Sequence, residues 1–356
     1  MVVVILISTA SVFFAWLESS GRYKHGLKIA LFLIFLFLAL RFNFGNDYMA
    51  YLASFHEIKD SGSDFSDFVK PKYEFGWVYL NHLFAPFGFF IMTGFLACLT
   101  CIVLYHFIKK YVPSQYYWFA VFLYVFQPYN MLVLSSAMRQ AVSVAIFLLA
   151  IDFLINRKIL FYLILVFFAS LFHSSAYFLF PLILLSVFHW KSNIATGLVV
   201  IVLFMIPTIW GNFVLEKINI FVSSYFPYYG HYEKQSVLNT GLGFLLTVFL
   251  FLMTIYFTLK IDEENLLFFR LAIISFILIP LSLSVEMVSR INFYLQPALM
   301  VVYPLMMVNI KKSQLKLLFI SSLVLITVYQ FLGFFQSETW HNSFEVYHTI
   351  FSAPAF

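Results

Sequence analysis

Apolar stretches of spanning or near-spanning length follow one another along almost the whole chain, each closed by polar, charged or turn-forming residues. The breaks fall at 18–28, 43–75, 109–114, 128–136, 156–158, 173–175, 190–193, 211–240, 260–265, 286–290 and 309–316. A helix needs roughly 20 apolar residues to cross the hydrocarbon of a bilayer. The pattern therefore predicts an all-α protein: a polytopic integral membrane helical bundle of about 12 transmembrane helices. Residues 1–356 read as one transmembrane domain, with two larger loops at 43–75 and 211–240. Met1 opens directly into Val2, Val3 and Val4 with no basic residue ahead of them, so residues 2–17 read as a retained helix rather than a cleaved signal peptide.

Charge orients the bundle. One alternate set of breaks holds Arg22, Lys24, Lys28, Lys109, Lys110, Arg157, Lys158, Lys191, Lys260, Arg270, Lys311, Lys312 and Lys316. The other holds Arg41, Lys59, Lys70, Lys72, Arg139, Lys217, Lys234 and Arg290. Basic residues crowded into short loops mark the cytoplasmic side. The first set is the crowded one, which predicts 43–75, 211–240 and both termini on the outer, periplasmic face.

Composition narrows the function. The chain is 63% hydrophobic and 10% charged, against roughly 25% charged in a soluble domain. Its pI near 9.0 reflects loop lysines and arginines that meet anionic lipid headgroups. No basic, aromatic-interleaved segment exists to bind nucleic acid. There is no GxxxxGK[ST] and no strand-borne GxGxxG, which excludes drive by cytosolic nucleotide. Cys98 and Cys101 lie within a predicted span and read as small apolar residues. No compact outer-face His/Asp cluster is legible, so the expectation is chemistry without a metal, and no cofactor is called for.

Arg41, Arg139 and Arg290 break the positive-inside pattern. Each sits at the outer end of an apolar span; Arg290, for example, is roughly 20 residues or 30 Å of helix from both Arg270 and Lys311. Snorkelling to headgroup phosphates is the plain explanation for any one of them. Three together, with polar company at Asn43, Asn46, Asp47, Ser135, Ser136, Gln140, Glu286, Ser289, Asn292 and Gln296, read as a pocket for an anion. A guanidinium fork suits bidentate phosphate contact, and a diphosphate would engage two forks. The substrate diphosphate-binding candidates are thus Arg41, Arg139, Gln140 and Arg290. His173, in Phe172-His173-Ser174-Ser175, falls at the same face and is either a general base or part of a helix cap. Asp47 and Glu74 compete for the base role. Ion pairing with Arg41 and compensation of a helix dipole are their respective alternatives. Tyr51 shares a helix face with Asp47 at i, i+4. The aromatic run Tyr225, Phe226, Tyr228, Tyr229 and Tyr232 offers rings for a pyranose face or for the interfacial belt. Asp152 is expected to pair with Arg157 or Lys158.

These residues also form a recognisable series. Arg41-Phe-Asn-Phe-Gly-Asn-Asp47-Tyr-Met-Ala-Tyr51, Glu74-Phe-Gly76, Met138-Arg139-Gln140-Ala141, Phe172-His173-Ser174-Ser175-Ala176, and Arg290 with Tyr294 together resemble the EpsG family of bacterial polysaccharide polymerases, which includes Wzy-type O-antigen polymerases. The resemblance runs through essentially the whole chain. It departs at Gly45-Asn46, where the family often has Gly-Thr. It implies an integral membrane glycosyltransferase that moves an undecaprenyl-diphosphate-linked glycan onto the non-reducing end of another lipid-linked repeat unit. Arg139 and Arg290 would hold the leaving diphosphate with Arg41 assisting, His173, Asp47 or Glu74 would act on the proton, and Tyr51, Tyr228, Tyr229 and Tyr294 would contact glycan. Partners would be the lipid-linked repeat units, membrane lipids and a chain-length regulator. A lipid-linked oligosaccharide flippase, an O-antigen ligase and a membrane acyltransferase are the competing classes. Against a transporter stands the absence of mid-membrane charge and of related halves.

Overall fold

A computed structural model describes residues 1–60, 73–187, 193–209, 220, 224, 242–282 and 286–352. The helices are α1 (Val2–Ser19), α2 (Gly26–Ala39), α3 (Tyr48–Asp60), α4 (Phe75–Phe84), α5 (Phe89–Tyr111), α6 (Tyr117–Phe126), α7 (Leu134–Ser136), α8 (Met138–Ile155) and α9 (Ile159–Ser170). A 3-10 helix (Ser174–Ile183) leads into α10 (Leu184–Val187), followed by α11 (Ile194–Ile209), α12 (Leu242–Thr258), α13 (Glu263–Ser282), α14 (Glu286–Leu295), α15 (Leu299–Asn309), α16 (Ser313–Gln336) and α17 (Glu338–Phe344). Among the described residues, six segments are long and apolar enough to cross a membrane, or seven if one bent pair is a single span. Five more apolar helices have 10–17 residues, short of the roughly 20 a perpendicular crossing needs. Among the described residues the full-length spans do not reach the twelve that the breaks suggest, because several breaks divide helices that are each shorter than a perpendicular crossing.

The innermost segments are Val288–Asn309 and α8, with 72% and 61% of their apolar windows buried, against 22% for α1 and 28% for α16. Large side chains such as Leu6, Phe13, Phe32, Ile102, Phe161, Leu318 and Leu325 stay exposed on the outer helices. So much uncovered apolar surface suits lipid rather than water. The bent pair, Ser114–Phe126 and Tyr129–Ser136, turns through 69°. Gln127, held extended at φ −91° and ψ 104°, precedes Pro128, and a residue before proline is driven from the α region while the proline itself supplies no N–H. The second half turns aside and delivers Ser135 and Ser136 to the start of α8.

The two ends of the bundle are chemically distinct. At one, Glu18 takes Lys109 Nζ at 2.5 Å and the backbone N–H of Leu27 at 2.7 Å. Beside it, Asp152 takes Lys110 Nζ at 2.5 Å and the Tyr111 hydroxyl at 3.1 Å. Asp152 thus bridges to α5, while on its own helix it also accepts from Asn156 Nδ2 at 3.2 Å and feels the charge of Lys158. At the other end the Met1 amine donates to Glu345 O at 2.9 Å. There β1 (Arg41–Phe42) pairs antiparallel with β2 (His348–Thr349), Arg41 opposite Thr349 and Phe42 opposite His348. Gly45, at φ 115°, donates its N–H to Ser343 O at 2.9 Å, and an added Cβ would lie 2.7 Å from Ser136 Oγ. Only glycine fits both constraints. The segment 43–75 is more than a loop, since it contains α3; its residues 61–72, and residues 211–240 apart from Ile220 and Ser224, lie outside the described residues.

Candidate active site

The start of α8 meets the segments that carry Asp47 and Glu74. A helix N-terminus carries positive partial charge and disfavours a cation, yet α8 opens with Met138-Arg139. The compensation comes from Glu74, which precedes α4 with extended backbone (φ −66°, ψ 145°) and makes no side-chain cap to its own helix. Its Oε2 pairs with Arg139 Nη1, and its Oε1 accepts the backbone N–H of Ser174 at 3.2 Å. One carboxylate thus joins α8 to the turn after α9. Gly76 makes the approach possible: its N–H donates to Leu171 O at 2.7 Å, and a Cβ there would lie 2.8 Å from that oxygen. Arg139 Nε is 3.4 Å from the Tyr51 hydroxyl, and its guanidinium lies over the rings of Tyr51 and Tyr73 at 5.9 and 5.5 Å. The Arg139–Glu74 pair remains about one-fifth exposed, 22% and 20%, so a ligand can reach it.

His173 occupies that same turn and is 3% exposed. Its Nδ1 accepts the backbone N–H of Ser175 at 3.2 Å and is 2.6 Å from Ser175 Oγ. The side chain therefore caps the following 3-10 helix, the capping alternative realised by His173 itself. Burial first, then the charges of Arg290 and Arg139, hold its pKa down at about 3, so the ring is neutral across the physiological range. With Nδ1 accepting a backbone N–H, the proton of the neutral ring is on Nε2. Such a histidine is a poor base and a good N–H donor. Both guanidinium groups act on it electrostatically.

A buried hydroxyl chain backs this centre. Ser175 Oγ lies 3.1 Å from the Tyr294 hydroxyl, which donates to Ser143 Oγ at 2.9 Å, and Ser143 donates to Ala169 O at 2.9 Å. Tyr294 is 1% exposed, edge-on to Phe147, so its ring has no face for a sugar. Gln140 is 1% exposed and donates through Nε2 to Arg290 O at 2.6 Å; it fixes the backbone at Arg290 rather than meeting a ligand directly. The Ser175 and Ser143 links were not legible in sequence, although Ser143 follows Arg139 by one helical turn, a spacing that would have flagged it.

The other sequence candidates divide. Tyr51 is buried against Trp77, ring centroids 5.0 Å apart, with its hydroxyl toward Arg139. Burial raises its pKa, Arg139 opposes that, and Asp47 adds to it, so Asp47 is near this face. Asp47 is exposed, its backbone N–H donating to Ser136 Oγ at 3.1 Å. Arg41 goes elsewhere. Its Nη2 donates to Ser135 O at 2.6 Å, and it lines a cavity with Met138, Ala141 and Val142, the face of α8 opposite Arg139, Gln140 and Ser143. The structure does not bring Arg41 to the other two arginines. Tyr228 and Tyr229 lie outside the described residues. Among the described residues no group of three or more His, Cys, Asp or Glu is placed to hold a metal ion.

The EpsG family model matches residues 27–349, nearly the whole chain. No curated protein and no solved structure matches it.

Proposed function

The chain belongs to the EpsG family of Wzy-type polysaccharide polymerases, and from that premise we propose that it transfers a polyprenyl-diphosphate-linked glycan, with undecaprenyl as the lipid and an O-antigen as the product, to the non-reducing end of another lipid-linked repeat unit on the periplasmic face. The observation that carries the reading lies at the end of the bundle opposite Lys109 and Lys110: Glu74 joins Arg139 to the His173 turn, and Gln140, next to Arg139, holds the backbone of Arg290. In the reaction an acceptor hydroxyl attacks the anomeric carbon and the bond to the diphosphate oxygen breaks. Negative charge grows on the leaving diphosphate. Arg139 and Arg290 stabilise that charge, and His173 donates through Nε2 to the same oxygens. The proton goes to Glu74: a diphosphate competing for Arg139 loosens the ion pair and frees the carboxylate next to the reacting hydroxyl. The activated donor supplies the driving force, consistent with a chain that has no nucleotide motif. Arg41 is assigned no part, because its fork is committed to a different cavity.

The test is the product pattern in a deletion strain complemented with variants. Arg139→Lys and Arg290→Lys should each leave single repeat units on lipid A core with no ladder. Undelivered long polymer would instead indicate a ligase, and lipid-linked units held on the inner leaflet a flippase. Glu74→Gln should abolish the ladder and Asp47→Asn should spare it; the reverse result would move the base to Asp47.

A further inference from the structure

We propose that Arg41 holds a small monovalent anion of chloride size inside the bundle, at a site separate from the polymerase centre. Arg41 is 5% exposed, and only its Nη2 has a protein acceptor, Ser135 O at 2.6 Å. Its Nε and Nη1 are buried with no hydrogen-bond partner in the protein. No carboxylate pairs with it among the described residues; its electrostatic neighbours are the phenols of Tyr48, Tyr347 and Tyr124. Burial lowers its pKa to about 10, which leaves the guanidinium charged at neutral pH. A charge desolvated to this degree requires compensation, since an isolated buried ion is among the most costly features a fold can carry.

The cavity beside it sets the size of the compensating group. It measures about 30 Å³ and is lined by Arg41, Thr93, Thr100, Tyr124 and Ser135 together with apolar side chains. One water occupies on the order of 10–15 Å³, so the space takes about two or three water-sized spheres, fewer than the four oxygens of a phosphate. Its polarity is that of an anion site. The hydroxyls of Thr93, Thr100 and Ser135 already donate to Phe90 O, Leu96 O and Leu132 O. The N–H groups of Arg41 and the Tyr124 hydroxyl remain as donors, and all of them favour an acceptor that carries negative charge. Water in the same space would satisfy the donors but leave the charge uncompensated.

The measurement is thermal unfolding of the full-length protein in detergent, at constant ionic strength, as gluconate is replaced by chloride, bromide or phosphate. Chloride and bromide should raise the Tm saturably by a few degrees, as binding to the native state alone requires, and phosphate should not. Arg41→Gln should lose the halide dependence. If that variant does not fold, Tyr124→Phe should weaken the halide midpoint severalfold, and crystals soaked in bromide should show an anomalous peak beside Arg41. A Tm equal in gluconate and chloride for the wild type, or a halide response undiminished in Arg41→Gln, overturns the site in favour of water alone; stabilisation by phosphate that requires Arg41 overturns the assigned size.

Discussion

Replacing Arg139 with lysine separates the guanidinium fork from its charge. In the wild type Nη1 engages Glu74, Nε reaches toward the Tyr51 hydroxyl, and the remaining donors are left for substrate. Lysine keeps the ion pair with Glu74 and loses the Tyr51 contact and the planar packing over Tyr51 and Tyr73. Those losses amount to roughly 0.5–1 kcal/mol each, so the variant should fold and reach normal abundance. Loss of a transition-state donor costs on the order of a hundredfold to a thousandfold, about 2.7–4 kcal/mol. The rate effect should therefore exceed the stability effect. The assay follows conversion of purified lipid-linked repeat units to ladder, with Tm measured on the same preparation. Arg157→Lys, beyond the far end of the same helix, is the control and should be silent. Should Arg139→Lys keep a rate within about tenfold of wild type at unchanged Tm, the fork is not the diphosphate ligand and Arg139 is a structural partner of Glu74.

The remaining expectations are shorter. Gly76→Ala drives a Cβ to 2.8 Å from Leu171 O; overpacking of this kind costs typically 1–3 kcal/mol, and Tm and polymerisation should fall together, whereas an unchanged ladder would show that the Glu74 turn tolerates displacement. His173 is held down at about 3 from an ordinary 6.5, so between those pH values the unfolded chain binds a proton the native protein does not, and stability falls as pH drops from about 6.5 toward 3; His173→Gln should lose less Tm than wild type between pH 7 and 4.5, and identical losses would exclude His173 as the source. Topology is decided by cysteine labelling in a background lacking Cys98 and Cys101: Lys59→Cys should react with an impermeant reagent in intact cells and Lys24→Cys only after the membrane is opened. The opposite pattern would place the arginine cluster in the cytosol and end the polymerase mechanism as drawn.

Much of the helical architecture was legible because apolar run length is a one-dimensional signal. The breaks at 109–114, 128–136, 156–158 and 309–316 all fall at observed helix ends. Span number was less legible, since α9 and the 3-10 helix after it are each apolar but short, and only packing decides whether they cross or fold back. The same divide separates the site residues. Arg139 and Arg290 stood out by charge in the wrong place, and Glu74 by lying near them in the motif series. Gln140 and Tyr294 were chosen for their chemistry, but their direction depends on tertiary contacts that no local pattern contains. The pairing of β1 with β2 joins residues from opposite ends of the chain through two positions each, too short a stretch to leave a period in the sequence.

The segment Ser135–Gln140 explains why the two arginine environments are close in sequence yet distinct in chemistry. The break at Pro128 and the non-helical Ala137, at φ −81° and ψ 67°, interrupt the hydrogen-bond ladder just before α8. The Ser135 carbonyl is therefore available to Arg41, and the Ser136 hydroxyl to the backbone N–H of Asp47. One residue past the break the helix resumes and turns Arg139 away from Met138, Ala141 and Val142, toward Glu74 and the His173 turn. A continuous helix here would engage the Ser135 carbonyl in its own ladder, in competition with the buried Arg41. The break thus supports both sites at once: it anchors the Arg41 guanidinium on one face of the chain and starts a helix on the other whose first turn presents Arg139, a cation the helix dipole alone would reject, to the carboxylate that holds it.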